Sequence, residues 1–201
     1  VSCEAIQDCI GAILGQGLTY NDPSNLISAK VSSQSGNQLS FGPDNGLYVP
    51  AATSYETPLT ADFTHTIAAA ANTYEKITEL ADLNIAEAGT YLVQYSARVV
   101  AAIPTGTAAV NTGTVMALHR NNVLVPNTES RGALVSQGLA STSEPVLQVQ
   151  GTAASQCIVV CAANDKLSLY GKRSSSTAGT VNSVNNDDGG RVKITAVRIR
   201  L

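Results

Sequence analysis

Residues 91–99 alternate strictly. Tyr91, Val93, Tyr95, Ala97 and Val99 share one parity, while Leu92, Gln94, Ser96 and Arg98 take the other. Period 2 marks a strand with one face on a core, and here it predicts a strand over 91–102. Further apolar runs follow at 115–119, 123–125, 133–139, 146–150, 156–162, 166–170, 179–184 and 192–201. Turn residues separate several of them, among them Arg120-Asn121-Asn122 and Ala163-Asn164-Asp165. No helical stretch intervenes, so the pattern predicts an antiparallel sandwich or barrel. The terminal run is less regular. Val192 and Ile194 share one parity, whereas Val197, Ile199 and Leu201 share the other. Either a bulge near Thr195-Ala196 re-registers that strand, or both of its faces are covered.

Ahead of these runs the pattern changes. Residues 2–14 read as a short helix capped by Ser2, with Ile6, Cys9, Ile10, Ile13 and Leu14 as its apolar stripe. Gly15 and Gly17 end it. Residues 18–27 and 39–48 then form a weak repeat: an apolar pair, a turn of Pro, Asp, Asn or Gly, and a second apolar run. Each copy predicts a β-hairpin. Isolated hairpins and short helices are marginal in water, so this segment needs a surface to pack on. Ile6, Ile10, Ile13, Leu14, Leu18, Tyr20, Leu39, Phe41, Leu47 and Tyr48 are its expected attachment residues. Residues 51–66 are low in charge and read as a linker or an extended first strand. The expected organisation is attachment over 1–50, linker over 51–66, and a head over 67–201 that folds by itself.

Two resemblances add to this reading. Residues 83–95, in which Gly89-Thr90-Tyr91 opens the alternating run, resemble the third-strand signature of the C1q and tumour-necrosis-factor superfamily. The later order is similar too: Ile158-Val159-Val160, a strand from Asp165, a loop, and a terminal strand ending on Leu201. That resemblance implies an all-β, antiparallel jelly-roll sandwich that assembles as a tight homotrimer. It also places the outer face of one sheet, with Leu92, Val197, Ile199 and Leu201, at the trimer interface. The hairpin repeats, from Gly15-Gln16-Gly17 and from Gly36, resemble repeats in virion proteins of tailed bacteriophages. Minor tail proteins, fibres and head-decorating proteins carry such repeats. This second resemblance implies a virion-surface protein whose partner is a major capsid protein or another virion structural protein.

Composition narrows the function classes. Charged residues are 13% of the chain, against roughly 25% in ordinary globular proteins, so Ser, Thr, Asn and Gln must cover its solvated faces. A net charge of −3 argues against binding nucleic acid by phosphate neutralisation. No run approaches the roughly 18 apolar residues of a membrane span.

Candidate chemistry is sparse. His65 and His119 are the two histidines, and neither sits in an HExxH or nucleophile-elbow motif. Glu75, Glu79, Asp82 and Glu87 read as a solvated rim rather than a glycosidase carboxylate pair. Residues 185–190 hold oxygen ligands suited to a hard cation, but the same residues favour left-handed turns, and a turn is expected. Cys157 and Cys161 would lie about 13 Å apart along a strand, beyond disulfide reach, and read as buried thiols. For Cys3 and Cys9 an interchain bond stays open. No catalytic residue, metal or cofactor is expected. The expected function is a trimeric capsid-decoration or head-fibre protein on the virion surface. The alternative is a short tail protein that recognises a host-surface glycan or protein.

Overall fold

The computed structural model describes residues 18–24, 26–29, 31–34, 37, 39–44, 46–49, 51–58, 61–104, 110–137, 147–175, 179–187 and 192–199. The helix expected over 2–14 lies outside them, as do Cys3 and Cys9. The chain divides into two compact units between Ala51 and Ala52.

In the first unit, β1 (Leu18–Asn21) and β2 (Leu26–Ala29) pair antiparallel around a 3-10 turn over Asp22–Ser24. The Asn21 side chain accepts the Ser24 amide at 3.2 Å, an Asx closure that the turn sequence favours. β3 (Ser40–Phe41) and β4 (Leu47–Tyr48) form the second hairpin. There the Gly42 amide donates to the Gly46 carbonyl at 2.7 Å, and Asp44 accepts the Gly46 amide at 3.0 Å.

The second unit is an antiparallel sandwich of two sheets. β9 (Gly89–Ile103) is the axis of one of them. β13 (Leu147–Cys161) lies along one edge of β9 over its whole length. The other edge is shared by β16 (Lys193–Ile199) and β15 (Val181–Asn186), end to end. β5 (Ser54–Glu56) then pairs with β16, and β6 (Phe63–Thr66) with β15. In the facing sheet β10 (Val110–Arg120) is central. β11 (Val123–Leu124) and β12 (Ser130–Gln137) pair with it on one side, and β14 (Asp165–Arg173) on the other. β7 (Glu75–Lys76) and β8 (Leu83–Ile85) complete the far edge of β14. The tight β10–β11 turn puts Asn121 and Asn122 at φ 51° and 67°, the left-handed pair that asparagine tolerates best.

Sequence and structure differ in five places. The turn expected over 185–190 starts later, because Asn185 and Asn186 belong to β15 and pair with Thr64 and Phe63 of β6. Residues 51–66, expected as a linker or a single extended strand, carry both β5 and β6, which are outer strands of the β9 sheet. The runs 146–150 and 156–162 are one strand, β13, because β9 pairs with every residue between them. β10 begins at Val110 rather than 115, since Thr112 and Thr114 face inward on a polar network instead of an apolar core. The terminal strand has no bulge against β9: Lys193 opposite Ser96 runs without a shift to Ile199 opposite Thr90.

The core lies where the predicted parity put it. Tyr91, Val93, Tyr95, Ala97 and Val99 of β9 are buried against Met116, Leu118, Leu167 and Leu169 of the facing sheet. Tyr95 crosses the sandwich, its hydroxyl 2.9 Å from the Met116 carbonyl and 2.6 Å from that of Thr128. Burial pushes its ionisation far up, so it stays a donor. At the other end Asn182 of β15 is buried between two β10 hydroxyls. It accepts from Thr112 at 2.8 Å and donates to Thr114 at 2.9 Å, while Thr114 donates to the Val100 carbonyl at 2.7 Å. Such a fully partnered network ties the two sheets with no orphaned polar group.

The sheets come closest where β12 passes β13. A Cβ on Gly151 would stand 1.9 Å from the Gly132 carbonyl oxygen, and one on Gly132 would stand 2.5 Å from the Ala153 nitrogen. Only glycine fits at this crossing.

Candidate functional site

Besides scattered exposed positions such as Val123, Leu124 and Leu134 on the β10 sheet, two surfaces expose apolar side chains in groups, each explained by the local pattern. The first is on the hairpin unit. Leu18, Leu39, Phe41, Leu47 and Tyr48 are all exposed, together with Leu26, Ile27 and Val49. Strands of two and four residues cannot enclose such side chains, so the hairpins present them outward. Tyr20 lies in β1. Ile6, Ile10, Ile13 and Leu14, the other expected attachment residues, are outside the described residues.

The second surface is the outer face of the β9 sheet. Register places Ile158 of β13, Leu92 of β9 and Val197 of β16 side by side in one cross-strand row. The next row holds Val160, Thr90 and Ile199. Ile158 and Val160 are each 66% exposed and Val197 42%, whereas Ile194 and Ala196, of opposite parity, are fully buried. The irregular terminal pattern therefore reflects a strand with apolar residues on both faces, only one of them covered by this chain. Leu92, Val197 and Ile199 share that outer face; Leu201 is outside the described residues. Ile158 and Val160 were not singled out from the sequence. Their signal was the unbroken apolar run through Val159, which marks a strand meant to be covered on both sides. Arg198 has a separate task. Its guanidinium pairs with Glu87 at 2.6 Å and passes over Gly89, where a Cβ would meet Arg198 Nε at 2.7 Å. That explains the glycine of the Gly-Thr-Tyr motif.

The remaining polar candidates are engaged within the fold. His65 is buried, with Nδ1 2.6 Å from Glu79 and Nε2 3.2 Å from Glu75. Glu75 also accepts the Ala68 and Ala69 amides at 2.8 and 2.7 Å. Asp82 takes Lys76 at 2.7 Å and the Ser168 hydroxyl at 2.6 Å. The carboxylates expected as a solvated rim are thus engaged within the fold: Glu75 and Glu79 share His65, Asp82 holds Lys76 and Ser168, and Glu87 pairs with Arg198. Of the acidic loop after β15, Asp187 is bidentate to Arg98 at 3.0 and 2.8 Å. Cys157 and Cys161 are free thiols on β13, and burial pushes Cys161 up to about 11.

His119 is the second buried histidine. Tyr170 stacks on it at 3.8 Å and Tyr74 meets it edge-on at 5.1 Å. Nδ1 donates to the Asn122 carbonyl at 3.3 Å, while Nε2 is buried without a hydrogen-bond partner. Burial holds this ring below its ordinary 6.5, so acidification must protonate the unfolded chain first. Its stabilising contribution is complete above about pH 6.5 and lost as pH falls towards the folded value. A second group acts lower. Hydrogen bonds from Lys172 and Tyr74 hold Glu129 below its ordinary 4.5, and Asn121 and the Ala162 amide hold Asp165 below 3.8. Their contribution is present above those ordinary values and lost as pH falls through the folded ones. Calorimetry from neutral to acid pH should therefore show Tm falling in two stages. His119→Phe, which keeps the stack on Tyr170, should remove the upper stage and leave the lower.

Comparison with known proteins gives little beyond the fold. No known protein family matches the sequence, and no curated protein does. Among solved structures the chain is similar to the Eiger TNF of S. frugiperda, at 12% identity and a TM-score of 0.38, over 74% of this chain and 92% of that one. It is similar as well to murine APRIL at pH 8.0, at 7% identity and a TM-score of 0.36, over 74% of this chain and 100% of that one. The second unit is an antiparallel β-sandwich with distant structural similarity to jelly-roll domains of the TNF family.

Proposed function

We propose that this chain is a structural protein of a virion surface, held to the particle by its hairpin unit and displaying the sandwich as a homotrimer. One observation carries the reading: the hairpins expose Leu18, Leu26, Ile27, Phe41, Leu47 and Tyr48 on elements too small to hold a core. Exposed apolar positions repeated on both hairpins mark a surface that another protein covers. The likeness of these repeats to tailed-phage virion proteins supplies the partner class, a major capsid protein or another virion component. The proposed location is the virion surface, with no catalytic role. The trimer draws on the outer rows of the β9 sheet. Each apolar side chain fully covered there would favour association by up to about 1.5–3 kcal/mol.

Two measurements test this. Particles assembled with Phe41→Asp and Leu47→Asp together should lose the protein, while the sandwich keeps its thermal transition. Equal incorporation of the double variant would sink the attachment role. In the analytical ultracentrifuge the full chain should sediment as a trimer at micromolar concentration, and Ile158→Asp with Val197→Asp should sediment as a folded monomer. A wild-type chain that is itself monomeric would remove the trimer. Copy number separates capsid from tail: many copies per particle mean decoration, whereas a handful would favour the short tail protein.

A further inference from the structure

The outer face of the β10 sheet holds a polar hollow that neither apolar surface uses. A cavity of about 330 Å³ opens there, lined by Asn72, Val115, Glu129, Arg131, Lys172 and Ser174. Its floor is a cross-strand row in which Val115 of β10 lies between Arg131 of β12 and Lys172 of β14. The row depends on a bulge. The β10–β12 register shifts between Thr114 and Val115, so that Thr114 faces Ala133 while Val115 faces Arg131. Without the shift Arg131 would stand opposite Met116, whose side chain is fully buried in the core. Gly132 absorbs the extra residue and turns the guanidinium outward, a common use of bulges beside binding sites.

Charges in the hollow are unevenly matched. Lys172 is bound to Glu129 Oε1 at 2.5 Å and lies 4.6 Å from the centre of the Tyr74 ring. The Tyr74 hydroxyl donates to the same oxygen. These donors fix Glu129 as an ionised acceptor at the rim. Arg131 is exposed and makes no ion pair among the described residues. Two cations against one carboxylate leave the hollow positive, in a chain whose net charge is −3.

We propose that this hollow binds an acidic sugar residue, with its carboxylate on Arg131, its hydroxyls on Glu129, Asn72 and Ser174, and its ring face on Val115. Guanidinium matches a carboxylate in a planar, two-point fork. The fixed Glu129 carboxylate accepts from sugar hydroxyls and repels a compact dianion, so the set suits a uronate or sialate better than sulfate or phosphate. The volume is at the small end of ligand pockets, enough for one ring rather than a chain of them. The site rests on the pocket lining alone, and its failure would leave particle attachment and trimer formation untouched.

Saturation-transfer NMR and calorimetry on the full chain test it, with the methyl glycosides of glucuronate, galacturonate and N-acetylneuraminate as probes. Methyl glucoside and sodium sulfate are the controls. At least one acidic glycoside should bind saturably, and methyl glucoside should bind about ten-fold more weakly or worse. Arg131→Ala should weaken the acidic ligand by a similar factor without moving the thermal transition, and Arg131→Lys should fall between. Three results would overturn the proposal: no saturable binding of any acidic glycoside, sulfate bound as tightly as the sugar, or an Arg131→Ala chain that binds like wild type.

Discussion

Gly151→Ala should destabilise the sandwich by about 3 kcal/mol or more, lowering Tm by roughly 6–12 °C at least. The added methyl would sit 1.9 Å from the Gly132 carbonyl oxygen, and no rotamer relieves a clash with backbone. β13 could retreat only by breaking its register with β9, which is continuous from Leu147 to Cys161. β12 could retreat only by closing the bulge that turns Arg131 outward. Overpacking of a close-packed interior ordinarily costs 1–3 kcal/mol, and here both neighbours are fixed by ladders. Gln148→Ala, at an exposed site on the same strand, should stay within about 0.5 kcal/mol of wild type. A Gly151→Ala variant melting with the wild type would show that the two strands can part freely.

A chain starting at Ile67 should fail to fold, whereas one starting at Ala52 should melt cooperatively. The shorter chain loses β5 and β6, and with them the outer ladders of β16 and β15. It also loses Tyr55, whose ring packs 5.9 Å from that of Tyr91, and Phe63, which packs on the core. Thr57 anchors the same edge: its amide donates to the Ile194 carbonyl at 3.0 Å, and its hydroxyl accepts the Ile194 amide at 3.1 Å. His65 disappears as well, leaving Glu75 and Glu79 without their shared partner. Each large apolar side chain contributes up to about 1.5–3 kcal/mol when fully buried, against a typical total of 5–15 kcal/mol. Two open sheet edges would add a route to aggregation. Solubility and a sharp thermal transition in both chains would show that residues 52–66 only decorate the sandwich.

These expectations mark what hydrophobic pattern can and cannot carry. β9 was legible because one face meets the core and the other does not, which is what period 2 encodes. The first half of β10 was not, because its inward positions are Thr112 and Thr114, partnered by Asn182 from a strand far along the chain. The middle of β13 was hidden by Gly151 and its small neighbours, chosen for a close crossing rather than for burial. β5 and β6 are short outer strands, too brief for any period to show. Parity together with the C1q/TNF resemblance put Leu92, Val197 and Ile199 on one face, and the structure adds Ile158 and Val160 to their rows. The hollow around Arg131 left no trace in the pattern, since a one-residue bulge decides which way that side chain turns.

The pairing of β9 also sets an order of events during synthesis. One edge of this strand is completed only by β15 and β16, whose partners lie about 80 to 110 residues later in the chain. Until β15 and β16 have been made, the growing polypeptide carries a long apolar strand with one edge open. Contacts so distant in sequence cost loop entropy before they stabilise anything, which makes such topologies slow to fold. The sandwich should therefore form only once β15 and β16 have been made. In that interval β9 carries a free edge, so helper proteins that shield exposed strands should raise the yield of native protein.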